Sequence, residues 1–242
     1  MQLEVARTSH QTVENHDLLL RGNPQLTRRT AGGGIGERVW LKAEDHLDCT
    51  YSAQVSVARP QVELGAMTAT PLQDLPADVI KYLLPSHYCA INDFDFLAGQ
   101  QFGRHEGGEL VTLMANWICE TFTYDIGASN PTTSAQQSFE QRRGVCRDYA
   151  HVLISMARSS GIPARYASVY SPDVNPMDFH AVAEVYMQGA WQMIDPTGMS
   201  LPQRTAIIGV GRDATDVAFL TSFGDLNFVS QSVDVETNDS DC

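Results

Sequence analysis

The chain has 242 residues, of which 43% are hydrophobic and 19% are charged, an ordinary composition for a globular protein. Its 16 lysines and arginines against 29 aspartates and glutamates give a formal net charge of −13 at pH 7. A chain this acidic is repelled by phosphate backbones and by anionic membrane surfaces. We therefore expect neither a nucleic-acid partner nor a membrane partner.

The five cysteines favour a reducing compartment, because their number is odd and no Cys-x-x-Cys pair occurs. The first ten residues lack the apolar core of a signal peptide, and no apolar run reaches the roughly 18 residues of a membrane span. We expect a cytoplasmic protein without a disulfide framework. The spacing of cysteines and histidines matches no zinc site, so we expect no metal and no cofactor.

The first part of the chain is typical of strands and turns. Residues 3–8, 39–42 and 50–58 are β-rich, and a glycine cluster at 32–36 marks a turn between them. This cluster lacks the Lys-Ser/Thr of a phosphate-binding loop, so a hairpin turn is the better interpretation.

The middle of the chain predicts helices. A proline-containing linker at 60–76 is followed by a short helix over 77–84. Apolar residues spaced i, i+3, i+4, i+7 and i+8 predict a helix over 109–122 with one buried face. Tyr124, just beyond this helix, is a candidate for lining a cleft. A capping-box pattern at 134–137 predicts another short helix.

Cys146 opens the next predicted helix, whose apolar positions are spaced 4, 3 and 4 residues apart and which ends near Gly161. The N-terminus of a helix has free N–H groups and a partial positive charge, which favour thiolate over thiol and can hold an oxyanion. Free cysteines are also among the most buried residues, so position alone leaves a structural role equally open.

A β-hairpin is predicted after this helix. Residues 179–187 alternate, Gln188-Gly189 is a turn signal, and residues 190–194 form a second short strand. A two-residue loop places Asp195 opposite Val182 and within side-chain reach of His180. A loop longer by one residue would turn Asp195 to the other face. Alone, the histidine is typical of a strand edge and the aspartate of a turn.

The motifs around these residues resemble those of the transglutaminase-like superfamily, in particular its bacterial cytosolic branch. They are Gly-x-Cys-x-Asp-x-Ala at 144–150, Gly-Ile-Pro-Ala-Arg at 161–165, His-Ala at 180–181 and Asp-Pro-Thr at 195–197. The order Cys, His, Asp is also that of the family. The resemblance implies an α+β fold with a papain-like core, in which the nucleophile helix packs on an antiparallel sheet.

The expected organisation is an N-terminal β-sandwich-like domain over 1–65, a linker with helices over 66–108, a catalytic core over 109–233 and an acidic tail over 234–242. The resemblance implies that Cys146 is the nucleophile, His180 the base and Asp195 the group that orients the base. Family members often have a tryptophan where this chain has Val182. We expect Val182 and Tyr124 to line the substrate site.

These residues predict thiol-dependent acyl chemistry on a peptide or protein amide. The acyl-enzyme passes to water, as in a protease or amidase, or to an amine, as in glutamine crosslinking, and the lack of a calcium loop favours hydrolysis. A scaffold protein without turnover and a metal-dependent hydrolase are the alternatives from other classes. His151, the rival base, lies about 140° round the helix axis from Cys146 and is expected to point away.

Overall fold

The structure is a computed structural model that describes residues 1–22, 24–43, 45–91, 94 and 100–238. Its centre is an antiparallel sheet of four strands. In chain order these are β7 (Ala164–Tyr170), β8 (His180–Met187), β9 (Ala190–Ile194) and β10 (Ala206–Gly211). Across the sheet the order is β10-β7-β8-β9. The mixture of helices with an antiparallel sheet is the predicted α+β class.

The hairpin between β8 and β9 has the two-residue loop that the sequence predicts. Met187 pairs with Ala190, and Ala183 pairs with Ile194. Gln188 and Gly189 have φ values of 50° and 82°, the left-handed conformation that a tight two-residue hairpin loop requires at both positions. The predicted register, which brings Asp195 to the same end as His180, is therefore confirmed.

Helices cover one face of this sheet. Two of them are long, α2 (Gly107–Thr121) and α4 (Cys146–Ser159), and three are short, α1 (Ala77–Ile80), α3 (Ala135–Gln141) and α5 (Ala214–Val217). The capping box predicted at the start of α3 is present, since the Ser134 hydroxyl accepts from the Gln137 N–H and the Gln137 amide oxygen accepts from the Ser134 N–H. The apolar residues of α2 and α4 join those of β7 and β8 in the largest core cluster.

The burial of helix α4 extends beyond its apolar face. Its polar residues Asp148, His151, Ser155 and Arg158 are buried as well. The Arg158 guanidinium donates to the carbonyl oxygens of Ala164, Leu84 and Arg212, so this one side chain joins the helix end to three separate segments. Hydrogen bonds to these carbonyls offset part of the cost of burying the charge.

The N-terminal region packs on the other face of the sheet. Ala6 lies in a second apolar cluster with Val182 and Ile207, and its N–H donates to the Ile207 carbonyl at 2.8 Å. The predicted strand over 3–8 is wrong, because this segment joins β10 through a single backbone bond rather than a ladder. The strands observed are β1 (Gln11–Arg21), β2 (Gln25–Thr30), β3 (Glu37–Lys42) and β4 (Asp48–Val57), which pair as β1-β4 and β2-β3. The division into domains stays a prediction.

The C-terminal part completes the sheet. Residues 201–222 contain one strand, β10, which is an edge strand of the sheet, and the short helix α5. Beyond residue 218 the described chain has neither helix nor strand, and the last four residues of the predicted acidic tail lie outside the described residues. Over the described ranges, no helix is both long and apolar enough to cross a membrane.

Candidate active site

Cys146 is the first residue of α4, as predicted. The residue before it, Val145, donates its N–H to the Asp148 carboxylate at 2.9 Å, so Asp148 caps the start of the helix. Gly144 makes room for this cap, since a Cβ at that position would lie 2.7 Å from the Asp148 Cβ. The glycine and the aspartate of the Gly-x-Cys-x-Asp motif therefore explain why the helix begins at the cysteine.

Arg147 fixes this helix start to the preceding loop. Its guanidinium pairs with Asp148 at 3.0 Å and also donates to the Ser129 hydroxyl at 2.8 Å and the Asn130 carbonyl at 2.6 Å. Because Asp148 is almost completely buried, this pairing satisfies a carboxylate that water cannot reach. Arg147 was not predicted, because it carries no sequence signal beyond its place between the cysteine and the aspartate.

His180 and Asp195 meet at the ends of β8 and β9. The imidazole Nε2 and the carboxylate Oδ2 are 2.8 Å apart, and both side chains are buried. The hairpin register explains this contact, since the ladder continues to Ala183–Ile194 and Asp195 is the next residue along β9.

The Asp195 carboxylate is saturated with donors besides His180. Oδ1 accepts from the Thr197 N–H at 2.9 Å and hydroxyl at 2.7 Å, and Oδ2 accepts from the Ser200 N–H at 2.8 Å and hydroxyl at 2.7 Å. Burial opposes ionisation, but the bonds with His180, Thr197 and Ser200 outweigh it and lower the pKa of Asp195. The carboxylate therefore stays charged behind the imidazole. Ser200 was not predicted, since no pattern links it to the aspartate.

The second ring nitrogen of His180, Nδ1, is not bonded to Asp195 and is the one that can interact with Cys146. Nδ1 is buried and makes no well-aligned hydrogen bond with the described residues. Burial lowers the pKa of His180, but the bond with Asp195 and the interaction with Cys146 raise it to about 10. The imidazole is therefore protonated at neutral pH and faces the thiol as an imidazolium. In the absence of substrate, hydrogen bonds between catalytic residues often have long or poorly aligned geometry.

Tyr124 lies beside Cys146. It belongs to β5 (Thr123–Tyr124), which pairs in parallel with β6 (Arg143–Gly144), the pair that leads into α4. Burial and then the charge of the Cys146 thiolate raise the pKa of the Tyr124 phenol, which is 38% exposed. The phenol is therefore a protonated, partly accessible group next to Cys146, and its role in lining a substrate cleft stays a prediction.

Val182 does not reach the site. Its side chain is 0% exposed and packs in the second apolar cluster, with Ala167 and Met193 among its neighbours. A side chain with no accessible surface cannot contact a substrate, so the expectation that Val182 lines a subsite is corrected.

His151 is held away from this chemistry. It is fully buried, stacks on Tyr88 at 5.0 Å between ring centroids, and accepts from the Ala214 N–H at Nε2. Burial lowers the pKa of His151 to about 3, so the ring stays neutral. The residues that the structure describes contain no group of three or more His, Cys, Asp or Glu side chains arranged to hold a metal ion.

Comparison with known proteins identifies the family. The model of the transglutaminase-like superfamily matches residues 97–196. A solved structure from Cytophaga hutchinsonii, provisionally described as a cysteine protease, has a TM-score of 0.84 and 29% identity, covering 96% of this chain and 87% of that one. The chain belongs to the transglutaminase-like superfamily, and its fold is the α+β fold that the motifs imply.

Two mycobacterial relatives are uncharacterized proteins. One from Mycobacterium leprae is 30% identical over 184 residues, which are 71% of this chain and 66% of the relative. One from Mycobacterium tuberculosis is 30% identical over 145 residues, which are 54% of this chain and 46% of the relative. The chain thus spans between about half and two thirds of the length of these relatives.

Proposed function

We propose that this protein is a thiol-dependent hydrolase of amide bonds, a cysteine protease or amidase, with Cys146 as nucleophile, His180 as acid and base, and Asp195 as the group that orients His180. The observation that carries the proposal is the buried imidazole of His180, held by the Asp195 carboxylate at 2.8 Å, whose raised pKa reflects its interactions with Asp195 and Cys146. Membership of the superfamily and the likeness to the Cytophaga protein support it.

In the proposed reaction the Cys146 thiolate attacks the carbonyl carbon of the substrate amide. The imidazolium of His180 gives its proton to the leaving amine, and the C–N bond breaks to leave a thioester on Cys146. His180, now neutral, takes a proton from water, whose oxygen attacks the thioester. The acid product leaves, and the proton on His180 restores the thiolate–imidazolium pair.

The start of α4 supplies groups for the oxyanion of each tetrahedral intermediate. The N–H groups of Val145, Asp148 and Tyr149 are bonded to the Asp148 carboxylate or the Val145 carbonyl. The Cys146 N–H interacts with the phenol oxygen of Tyr124. Donors fixed before the reaction stabilise developing charge without reorganisation. In the proposed reaction the Tyr124 hydroxyl, which interacts with Cys146, donates to the same oxygen.

An amine can replace water at the thioester, which would make the protein a transamidase that crosslinks glutamine to amines. Both reactions use the same three residues, so the two functions differ only in the acyl acceptor, which is water in one and an amine in the other. A binding protein that has kept the fold would form no thioester at all.

The test is labelling with a panel of electrophiles, followed by mass spectrometry and turnover assays. Dipeptide-amide and acyl-glutamine warheads should modify Cys146 in preference to the exposed Cys119. A fluorogenic peptide-amide library should then show hydrolysis that Cys146→Ala abolishes and Cys119→Ala preserves. Product that forms only when a primary amine is added would assign the transamidase function. Labelling without any turnover would favour the binding protein.

A further inference from the structure

A cavity of about 270 Å³ lies at the end of the central sheet away from the proposed catalytic residues. Arg165 of β7, Trp191 of β9 and Tyr82, which follows α1, line it. Glu184 pairs with Arg165 across the strands and lies four residues beyond His180 in β8, which is roughly 13 Å along the strand. The cavity is therefore separate from the proposed catalytic site, and nothing in the proposed reaction uses it.

One wall of the cavity is a buried guanidinium whose hydrogen-bonding capacity is only partly used. Arg165, the last residue of the Gly-Ile-Pro-Ala-Arg motif, is 5% exposed, and its Nε donates to the Glu184 carboxylate at 2.7 Å. Within the described ranges, an acceptor is present for only this one of its five N–H groups. Buried donors without an acceptor are unfavourable, so the N–H groups on its two terminal nitrogens favour an acceptor that enters the cavity.

Two aromatic rings flank this guanidinium. Tyr82 and Trp191 meet edge to face, with ring centroids 5.1 Å apart and an interplanar angle of 84°. The Arg165 guanidinium lies 4.0 Å from the centroid of the Trp191 ring, a contact that holds both groups in place. Tyr82 is buried and Trp191 is half-buried, so both rings are already ordered and offer apolar contact at little entropic cost. Apolar and aromatic walls with a few fixed polar groups are typical of sites for small organic molecules.

Two exposed side chains of opposite charge lie at the rim of the cavity. Lys81 and Asp78 both line it, and the Lys81 Nζ is 5.0 Å from the centroid of the Tyr82 ring. Glu184 already balances the charge of Arg165, so Lys81 supplies the positive charge that attracts an anion, and Asp78 opposes it. A bound anion is therefore held mainly by the hydrogen bonds of the guanidinium, which match a carboxylate in geometry.

We propose that this cavity binds a small aromatic carboxylate, whose oxygens accept from the terminal nitrogens of Arg165 and whose ring packs against Trp191 and Tyr82. The cavity has the volume of roughly nine water molecules at about 30 Å³ each, which suits a ligand of about nine non-hydrogen atoms, such as benzoate. For a ligand of this size a dissociation constant on the order of 1 mM is expected. The proposal goes beyond the proposed function and does not depend on it.

The experiment titrates benzoate into the full chain, follows the indole N–H of Trp191 by NMR, and measures the dissociation constant by calorimetry. Benzamide matches benzoate in shape but lacks its charge, and cyclohexanecarboxylate has the charge without the aromatic ring. Each should bind about five-fold more weakly than benzoate. Cys146→Ala should bind benzoate as tightly as the wild type, because the cavity is separate from the proposed catalytic site.

Two variants of the rim form a matched pair, because Lys81 and Asp78 are both exposed and each substitution removes one charge. With the charge roughly 6 Å from the bound carboxylate in water, Lys81→Gln should weaken benzoate binding about three-fold and Asp78→Asn should strengthen it about three-fold at low salt. Arg165→Lys keeps the charge beside Glu184 but not the planar fork, and should weaken benzoate binding about ten-fold in a chain whose unfolding transition shows that it is folded.

Four results would overturn the proposal. One is the absence of a saturable shift of the Trp191 indole at about 10 mM benzoate, roughly ten times the expected dissociation constant. Equal affinities for benzoate and benzamide are the second, and rim variants that shift the affinity in the same direction are the third. The fourth is loss of binding in Cys146→Ala, which would place the ligand at the proposed catalytic site.

Discussion

Replacing Asp195 with asparagine tests how the proposed site keeps its imidazolium. The carboxylate accepts from five donors, counting His180, and an asparagine offers one oxygen and one N–H₂ group in its place. Removing one partner of a buried ion pair costs about 3–5 kcal/mol. At about 1.4 kcal/mol per pKa unit, this cost corresponds to a pKa of His180 that is lower by about two to four.

The pKa of His180 should therefore fall from about 10 towards or below the ordinary value for histidine in Asp195→Asn. A raised pKa means that the proton stays bound to the ring until the pH approaches 10, so the wild-type His180 imidazolium should persist across neutral pH. In the variant the imidazolium should be lost at neutral pH. The equivalent change in serine proteases costs about 10⁴ in kcat, and we expect a large loss of turnover with a smaller change in KM.

The measurement is an NMR titration of the His180 ring, paired with the rate of iodoacetamide alkylation of Cys146 between pH 5 and about 10, the upper limit set by the pKa of His180. Adding Asp195→Asn to Cys146→Ala should cost almost no further turnover, because residues that act as a unit are not additive. Asp74→Asn, at an exposed aspartate in the 3-10 turn before α1, is the charge-matched control. A folded Asp195→Asn variant that keeps the wild-type pKa of His180 and the wild-type kcat would refute the reasoning.

Three further outcomes follow from the same geometry. Cys146 should be the thiol that reacts fastest with iodoacetamide at pH 6. Burial raises the pKa of Cys49 and raises that of Cys89 to about 12, so less of the reactive thiolate forms at these two positions. Faster labelling of Cys49 would contradict this prediction. Activity should survive EDTA, since the proposed nucleophile needs no metal, and its loss with recovery on adding calcium or zinc would show the opposite. Gly144→Ala should displace the Asp148 cap and cost about 1–3 kcal/mol of unfolding free energy by overpacking, measurable by urea denaturation, and a neutral effect would count against the cap.

Local patterns predicted the parts of the site that depend on local geometry. The tight turn at Gln188-Gly189 determined the register of the hairpin, and the register brought Asp195 to His180. The helix start at Cys146 was likewise contained in a few neighbouring residues, because a glycine and a capping aspartate suffice to begin it. The roles of the three residues in catalysis stay predictions until turnover is measured.

Long-range packing explains what the sequence could not predict. Val182 lies on the same face of β8 as His180, yet Ala6 and Ile207 cover it and enclose it in an apolar cluster rather than in the cleft. Ser200 reaches Asp195 only because the loop after β9 turns back on itself. The burial of the polar side of α4 depends on segments far away in the chain, such as the one that holds Leu84.

The attachment of Arg158 to three segments has a consequence for amide hydrogen exchange. Because one guanidinium joins the end of α4 to β7, to the chain after α1 and to the chain after β10, that end of the helix cannot open without releasing all three. Exchange of its amides should therefore require an opening close to global unfolding, whereas the irregular arm beyond residue 218 should exchange through small local openings. The helix that carries Cys146 would then lose its structure only when the whole core does, and heat inactivation should coincide with the unfolding transition.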